Sequence, residues 1–305
     1  MHLISLKDWS PADIIDAVEE SIDIKNYPDK YQSAMNGLSL SLLFQKTSTR
    51  TRCAGEVGMN QLGGHAIYLD WRATNFMLAD LRDEIRVLSS YVDLIMVRFL
   101  KHADVLRSAD VASVPIINGC CDRYHPTQAL ADLMTIQEKL GKVEGVKLTY
   151  VGVHNNVCNS LIAAGMKVGM EVTVVAPETN LTAIDEDFLE EARQSGMYKV
   201  TDRLKDAIAG SDVVYTDTWM DMEFFLDPTL KAEKEKRSKL MEPYQLNKEL
   251  LEGEDVLIMH CLPAHRGSEI SGDIIEDERS IMFEQAENRL HSMKGLMLKL
   301  LNKRW

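Results

Sequence analysis

The stretch LSLSLLFQKTSTRTR, residues 38–52, joins an apolar run directly to a cluster of hydroxyl groups and cations. Residues 38–44 have the length and apolar content of a buried strand, and a helix is predicted over about 48–62. A strand followed by a loop and a helix is the repeating unit of parallel α/β sheets. The stretch therefore places Arg50 and Arg52 in the first turn of a helix, just beyond the end of a buried strand.

The same alternation of strand and helix continues along the chain in two series. The further predicted strands are short, rich in β-branched residues and apolar on both faces, and they lie at 65–70, 93–99 and 114–119 and then at 146–153, 171–177, 212–217 and 255–261. Predicted helices begin after an N-cap at Ser10 and cover about 80–91, 125–141, 155–169 and 284–301. Such strands argue for parallel sheets that are covered by helices on both sides.

A short polar segment separates the two series, where Gly141 and Gly145 flank the residues Lys-Val-Glu. We therefore predict a first domain of residues 1–140 and a second domain of residues 141–284. The remaining segment, 285–305, has an apolar stripe at helical spacing, and we expect it to pack back toward the first domain.

Composition excludes several classes of protein. With 305 residues, 45% of them hydrophobic, the chain can form one large or two medium domains. A net charge of -13 argues against a nucleic-acid binder, and no apolar run approaches the roughly 20 residues of a membrane span. The five cysteines form no metal-ligand spacing or disulfide framework, and the N-terminus does not resemble a secretory signal. We expect a cytoplasmic protein that contacts neither nucleic acid nor membrane.

Polar residues follow the predicted strands at the places where α/β sheets bind ligands. In open sheets these places are the carboxyl ends of the strands, next to helix N-termini. The first series supplies cations and hydroxyls there, namely Ser48, Thr49, Arg50, Thr51, Arg98, His125 and Gln128. The second series supplies amides, a carboxylate and a thiol, namely Asn155, Asn156, Asp217, Cys261 and Leu262 with its neighbours.

This division has chemical content. A helix N-terminus with hydroxyls and arginine suits a phosphate group, whose oxygens a guanidinium can bind in pairs. Arg98 and His125 could polarise a carbonyl attached to that phosphate, while Asp217 suits an ammonium and Asn156 a carboxylate. The pattern indicates a phosphorylated acyl donor on one domain and an amino acceptor on the other.

Each residue alone also has a purely structural interpretation. Ser48 could be only an N-cap, His125 a core histidine, and Asp217 the cap of a turn. Cys261 could be a small buried hydrophobic residue, and no histidine and carboxylate accompany it as in covalent catalysis. The second series lacks the G-x-G-x-x-G motif, so a dinucleotide site is not expected. The joint placement of these residues at strand ends favours the functional interpretation.

The motifs FQKTSTRTR, VRF, HPTQALADL, DTW and HCLPAHRG resemble the aspartate/ornithine carbamoyltransferase family in order and over nearly the whole chain, and HCLPA resembles its ornithine side. The resemblance implies two doubly wound parallel-sheet α/β domains (Rossmann-like), joined by interdomain helices. It also implies a homotrimer or a multiple of trimers, with active sites between subunits, and chemistry that needs neither metal nor cofactor.

The resemblance also implies roles for individual residues. Those matching the carbamoyl-phosphate site are Ser48, Thr49, Arg50, Thr51, Arg98, His125, Gln128 and Arg289. Those matching the acceptor site are Asn156, Asp217, Asp221, Met222, Cys261 and Leu262. Of these, Thr51, Arg98, His125, Cys261 and Arg289 would act on the reacting groups. Lys46 and Arg52 could support the phosphate site or a subunit contact.

Two segments depart from the ornithine pattern. In DTWMDMEFF, Asp221 and Glu223 stand where serine and glycine are usual, and in DWRATNFMLADLRDEIRVL, Arg82 stands at the usual lysine and no matching glutamine is present. The expected reaction is carbamoyl transfer from carbamoyl phosphate to L-ornithine, giving L-citrulline and phosphate. The alternatives are the same chemistry on another amine, such as putrescine, another diamino acid or an N-modified ornithine, and a non-catalytic binding relative.

Overall fold

A computed structural model of the chain describes residues 1–220, 229 and 231–302. Over these residues the chain forms two separate parallel sheets, one from each series of strands. The predicted α/β class with two parallel sheets and flanking helices is confirmed. No helix among the described residues is both long enough and apolar enough to cross a lipid bilayer.

The first sheet is built around the strand that ends the apolar run. Its strands are β1 (Ser39–Phe44), β2 (His65–Asp70), β3 (Leu94–Arg98) and β4 (Ile116–Cys120), and they lie side by side in the order β2-β1-β3-β4. Side chains on both faces of β1 are buried, because helices cover the sheet on each side.

The second sheet follows the same plan. Its strands are β5 (Lys147–His154), β6 (Glu171–Thr179), β7 (Tyr198–Val200), β8 (Val213–Thr216) and β9 (Leu257–His260), in the order β7-β6-β5-β8-β9. In each sheet the chain leaves its first strand in one direction and later returns to that strand's other side. The crevices at β1/β3 and β5/β8 are therefore the topological switch points, where parallel sheets bind ligands.

Helices connect the strands and cover the sheets. The α-helices within the described residues are α1 (Pro11–Asn26), α2 (Thr49–Gln61), α3 (Leu81–Ser89), α4 (His102–Val111), α5 (Pro126–Leu140), α6 (Asn156–Val168), α7 (Glu186–Gln194), α8 (Leu204–Ile208), α9 (Lys231–Met241), α10 (Gly272–Ile275) and α11 (Met282–Leu300). The C-terminal helix α11 packs on α1, α2 and α5, which precede the second sheet, and also contacts β9.

Sequence patterns missed some elements. They did not identify the helices α4, α7, α8, α9 and α10. They also missed the edge strand β7, which has three residues of which only Tyr198 is buried. They placed the start of α11 two residues late. The domain limits 1–140, 141–284 and 285–305 stay a prediction, and α5 ends at Leu140, next to the first of these limits.

Candidate active site

A cavity of about 680 Å³ opens between the carboxyl ends of the two sheets. The predicted site residues that line it are Ser48, Thr49, Arg50, Thr51, Arg98, His125, Gln128, Asn156, Asp217, Cys261, Leu262 and Arg289. Asp221 and Met222, which were also predicted, lie outside the described residues. The fold thus brings together side chains that are spread over more than two hundred positions of the sequence.

The N-terminus of α2 forms one wall of the cavity. Ser48 is the N-cap, and its hydroxyl accepts a hydrogen bond from the Thr51 amide at 3.3 Å. Other N–H groups of the first helical turn have no partner within a helix, and together with the helix dipole they favour an anion. Arg50 projects from the same turn into the cavity, whereas Arg52 is exposed, pairs with Glu56 at 3.0 Å and does not line the cavity.

Arg289 on α11 lies at the floor of the cavity and is only 2% exposed. One of its terminal nitrogens donates to Oε1 of Gln128 and lies 3.5 Å from Nε2 of His125. The other lies 3.2 Å from the Thr51 hydroxyl and 3.3 Å from the Thr127 hydroxyl. Burial lowers the pKa of Arg289 to about 10, so the guanidinium remains charged at neutral pH.

His125 and Arg98 lie beside this cluster. The His125 amide donates to the Ser160 hydroxyl at 2.7 Å, which fixes the start of α5 against α6. Burial, and next to it the charge of Arg289, lower the pKa of His125 well below its usual value, so the imidazole is neutral. Arg98 donates to the Gly119 carbonyl at 3.4 Å, and its buried Nε has no hydrogen-bond partner among the described residues. This wall therefore offers hydrogen-bond donors and positive charge.

The opposite wall is organised around Asp217, just after β8. Its Oδ2 accepts from the Asn155 side chain at 2.8 Å, and its Oδ1 accepts from the Thr218 amide at 2.8 Å and the Cys261 thiol at 3.0 Å. Burial and the neighbouring Asp217 raise the pKa of Cys261 well above its usual value. Cys261 therefore remains a thiol that donates a hydrogen bond, and the geometry gives it no role as a nucleophile.

The side chains of Arg50 and Asn156 join the walls. Arg50 donates to the backbone carbonyl of Leu262, and the Asn156 amide donates to the Cys121 carbonyl at 2.5 Å and contacts the Cys120 sulfur at 3.3 Å. The amide nitrogen of Asn156, which we expected to meet a carboxylate, is thus occupied by the first domain in this structure.

Asp217, His260 and Cys261 place their ligand atoms within 4.8 Å of one another, which is the spacing of a metal site. Both ring nitrogens of His260 are already engaged, since Nδ1 accepts from the Leu262 amide at 2.8 Å and Nε2 lies 3.1 Å from Oε1 of Glu269. Hydrogen bonds within the protein therefore account for the arrangement of these three side chains.

Some cavity residues were not predicted. They include Lys101, Cys120, Asp122, Asn180 and Thr182, whereas Lys46, which was predicted as possible support of the phosphate site, does line the cavity. Asn180 directly follows β6, which ends at Thr179 and not at residue 177 as predicted, so the strand-end rule stopped short of Asn180. Beneath the cavity, Asp132 bonds Gln128, Gln285 and Tyr215. Asp132 stands one helical turn after Gln128, inside the motif HPTQALADL, but the sequence analysis gave it no role.

The sequence matches two family profiles in succession. Residues 1–138 match the carbamoyl-P binding domain of aspartate/ornithine carbamoyltransferase, and residues 144–300 match the Asp/Orn binding domain. The chain belongs to the aspartate/ornithine carbamoyltransferase family. Membership in this carbamoyltransferase family assigns the chain to the transferases.

Curated members of the carbamoyltransferase family resemble the chain along nearly its full length. Ornithine carbamoyltransferase of Pyrococcus horikoshii is 42% identical over 98% of this chain and 95% of its own length. The anabolic ornithine carbamoyltransferase of Pyrococcus furiosus is 41% identical over 97% of this chain and 94% of its own length.

Solved structures of the carbamoyltransferase family share the fold. Ornithine carbamoyltransferase from Pyrococcus furiosus superimposes with a TM-score of 0.91 at 39% identity, covering 100% of this chain and 98% of that one. The anabolic enzyme from Campylobacter jejuni has a TM-score of 0.88 at 31% identity and full coverage of both chains.

Proposed function

We propose that this chain transfers the carbamoyl group of carbamoyl phosphate to the side-chain amine of L-ornithine, giving L-citrulline and phosphate. Relatives named ornithine carbamoyltransferase support the reaction. The observation that carries the proposal is the cavity itself, in which Arg50, Arg98 and Arg289 face Asp217 and Cys261. A cationic wall suits the phosphorylated donor, and a buried carboxylate suits the acceptor's ammonium group.

In this proposal the α2 N-terminus holds the phosphate. Ser48, Thr49 and Arg50 supply hydroxyl, amide and guanidinium donors to its oxygens. Thr51, Arg98 and His125 direct donors at the carbonyl oxygen of the carbamoyl group. Arg289 adds positive charge beneath both groups, and Gln128 meets the carbamoyl nitrogen.

The reaction then follows from placement and charge. The neutral amine attacks the carbonyl carbon, and the carbonyl oxygen gains negative charge in a tetrahedral intermediate. Donors aimed at that oxygen stabilise it by roughly 2.7–4 kcal/mol each. The bond from carbon to the phosphate oxygen breaks, and the departing phosphate accepts the proton of the amine. Asp217, Cys261, Leu262 and Asn156 position the acceptor in this scheme, together with Asp221 and Met222.

A second candidate acceptor is favoured by one specific feature of the sequence. Asp221 and Glu223 add two carboxylates directly after the segment that carries Asp217. Carboxylates beside an amine site would favour an acceptor with more positive charge, or with its ammonium group at another place. Another diamino acid or a diamine is therefore the alternative to ornithine, with the same chemistry on the donor side.

The deciding experiment is an assay of the purified protein with carbamoyl phosphate and a panel of amines. The panel contains ornithine, lysine, shorter diamino acids, putrescine and N-acetylornithine, and both phosphate and ureido product are measured. We expect the highest kcat/KM with ornithine. Turnover with another amine but not with ornithine would show that the other amine is the acceptor. Binding of carbamoyl phosphate without turnover of any amine would favour a non-catalytic relative.

We also propose that the protein is cytoplasmic and that it forms a homotrimer or a multiple of trimers. The resemblance to the aspartate/ornithine carbamoyltransferase family, which implies trimers, supports the assembly. All five cysteines are free thiols, as is usual in a reducing compartment, and this supports the location.

A further inference from the structure

Beneath the cavity, the side chain of Asp132 is fully buried and accepts hydrogen bonds from three side chains. Its Oδ1 accepts from Nε2 of Gln128 at 2.9 Å and from Nε2 of Gln285 at 2.7 Å. Its Oδ2 accepts from the Tyr215 hydroxyl at 3.2 Å. Asp132 does not line the cavity, so any effect on substrate passes through a neighbour.

That neighbour is Gln128, whose amide lies between a carboxyl group and a guanidinium. Its nitrogen faces Asp132, and its oxygen accepts from Arg289. The reverse orientation would place the amide N–H groups against Arg289 and the carbonyl oxygen against Asp132, which would lose both hydrogen bonds. The two partners therefore fix Gln128 with its oxygen toward the cavity.

The orientation matters because the two sides of a carbamoyl group need opposite partners. Its carbonyl oxygen needs donors, which Thr51, Arg98 and His125 supply. Its amino group needs an acceptor. An amide oxygen accepts two hydrogen bonds, so Oε1 of Gln128 can accept from Arg289 and still accept one from the substrate.

We propose that Asp132 is a positioning residue that holds Gln128 as an acceptor and thereby selects a carbamoyl phosphate over an acyl phosphate that carries a methyl group in place of the amino group. The inference rests on the proposed donor site. It concerns selectivity for the donor and not the choice of acceptor.

The test compares binding of carbamoyl phosphate and acetyl phosphate, two molecules of closely similar shape, by calorimetry with fresh solutions. The wild-type protein should bind carbamoyl phosphate at least tenfold more tightly, because one neutral hydrogen bond corresponds to about a tenfold change in affinity. Asp132→Leu should bring the ratio of the two affinities, carbamoyl phosphate over acetyl phosphate, close to one. Asp132→Asn, which keeps an acceptor oxygen, should stay within about twofold of the wild-type ratio.

Two further variants separate positioning from simple loss of structure. Tyr215→Phe removes the bond to the other oxygen of Asp132 and should leave the ratio unchanged. Gln128→Met should lower the ratio as much as Asp132→Leu, and combining the two should lower it no further, because both act through one side chain. If Asp132→Leu does not fold, Asp132→Ala, which leaves room for water, takes its place.

The results would overturn the inference in either of two ways. If the folded Asp132 variants bound both ligands more weakly by the same factor, Asp132 would have a structural role only. An unchanged ratio of affinities in Gln128→Met would show that Gln128 does not recognise the amino group of carbamoyl phosphate. Because binding is measured without an acceptor, a protein that binds selectively but turns over no amine would refute the proposed function and leave this inference intact.

Discussion

At the scale of single residues, the cavity sets a wall of donors against one buried carboxylate. Asp217 accepts three hydrogen bonds and is 5% exposed, so its charge is held in place before any substrate arrives. Arg98 has the complementary arrangement, since its hydrogen bond to Gly119 is long and its buried Nε has no partner within the part of the chain that the structure describes. The carboxylate is preorganised by its donors, and the guanidinium retains a donor for a ligand.

Arg98→Ala should lower kcat by about 10²-fold or more, because a donor aimed at the developing oxyanion is lost. Steady-state assays with saturating substrates measure the change. The matched control is Arg193→Ala, which removes an exposed arginine of α7 that pairs with Glu190. An Arg98 variant that turns over as fast as the control would remove Arg98 from the reaction.

Asp217→Asn should weaken binding of the acceptor and leave binding of the donor unchanged. The substitution removes the negative charge that would meet an ammonium group, so KM for the acceptor should rise by about tenfold or more. Calorimetry should show the affinity for carbamoyl phosphate within about twofold of wild type. Comparable loss of both ligands would contradict the separation of the two walls.

Asp132 should make stability depend on pH in an unusual direction. Burial raises its pKa to about 7, against about 3.9 for an aspartate in an unfolded chain. Between these values the folded chain binds more protons than the unfolded chain, so the contribution of Asp132 to stability falls as pH rises. Asp132→Asn does not titrate and should gain roughly 2.5 kcal/mol of stability relative to wild type between pH 5 and pH 8, measured by urea unfolding. A constant difference would show that Asp132 has an ordinary pKa.

At the scale of elements, the loop after β9 is held by one buried acid. Oε1 of Glu269 accepts from the His265 amide at 2.6 Å and contacts Nε2 of His260 at 3.1 Å, and His260 in turn accepts from the Leu262 amide. Leu262 has a positive φ of 56°, a conformation that non-glycine residues rarely adopt. The chain of bonds from Glu269 through His260 fixes the carbonyl of Leu262 that meets Arg50.

Glu269→Gln should therefore destabilise the protein by about 1–3 kcal/mol at neutral pH, because it replaces a carboxylate by an amide with a buried, unsatisfied N–H. Burial alone would raise the pKa of Glu269, but hydrogen bonds from His260 and His265 outweigh burial and hold it at about 2. The difference from wild type should shrink as pH falls below about 4.5 toward 2. Thermal unfolding of this variant and of Glu276→Gln, whose carboxylate is exposed beside Arg266, provides the comparison.

At the scale of the whole molecule, exposed apolar side chains on the first domain fit the trimer that we propose. Val87 on α3 and Leu106 on α4 are 49% and 50% exposed, on helices that pack on each other, and Tyr91 follows α3 at 74%. Contiguous exposed apolar patches mark contacts between subunits, and we propose that these side chains form such a contact in the trimer.

Light scattering should give a mass of three times the 34.5 kDa chain, or a multiple of that value. The double variant Val87→Asp/Leu106→Asp should shift the mass toward a single chain, because charge is placed in an apolar contact. Val200→Asp, at an exposed position of β7, is the control and should keep the wild-type mass. A wild-type monomer at micromolar concentration would refute the trimer.

Local patterns predicted much of the architecture and of the cavity, because strand ends and helix starts have short-range signatures. Ser48, Arg98 and Asp217 all stand directly at such ends. The contacts beneath the cavity have no local signature, since Asp132 meets Tyr215 and Gln285 at separations of 83 and 153 positions. The strand β7 escaped prediction for another reason: it is a three-residue edge strand with little to bury.

The position of α11 has a consequence for recombination between relatives. The helix is the last described element of the chain, yet it packs on α1, α2 and α5 and supplies Arg289 to a cavity wall built by the first domain. Its first turn also carries Gln285, which accepts from the His260 amide of the second sheet. A chimera with a single crossover after Leu140 would pair α11 from one parent with α2 and α5 from the other. Two crossovers, with the second just before Met282, would keep Arg289 with its native partners Thr51 on α2 and Gln128 on α5.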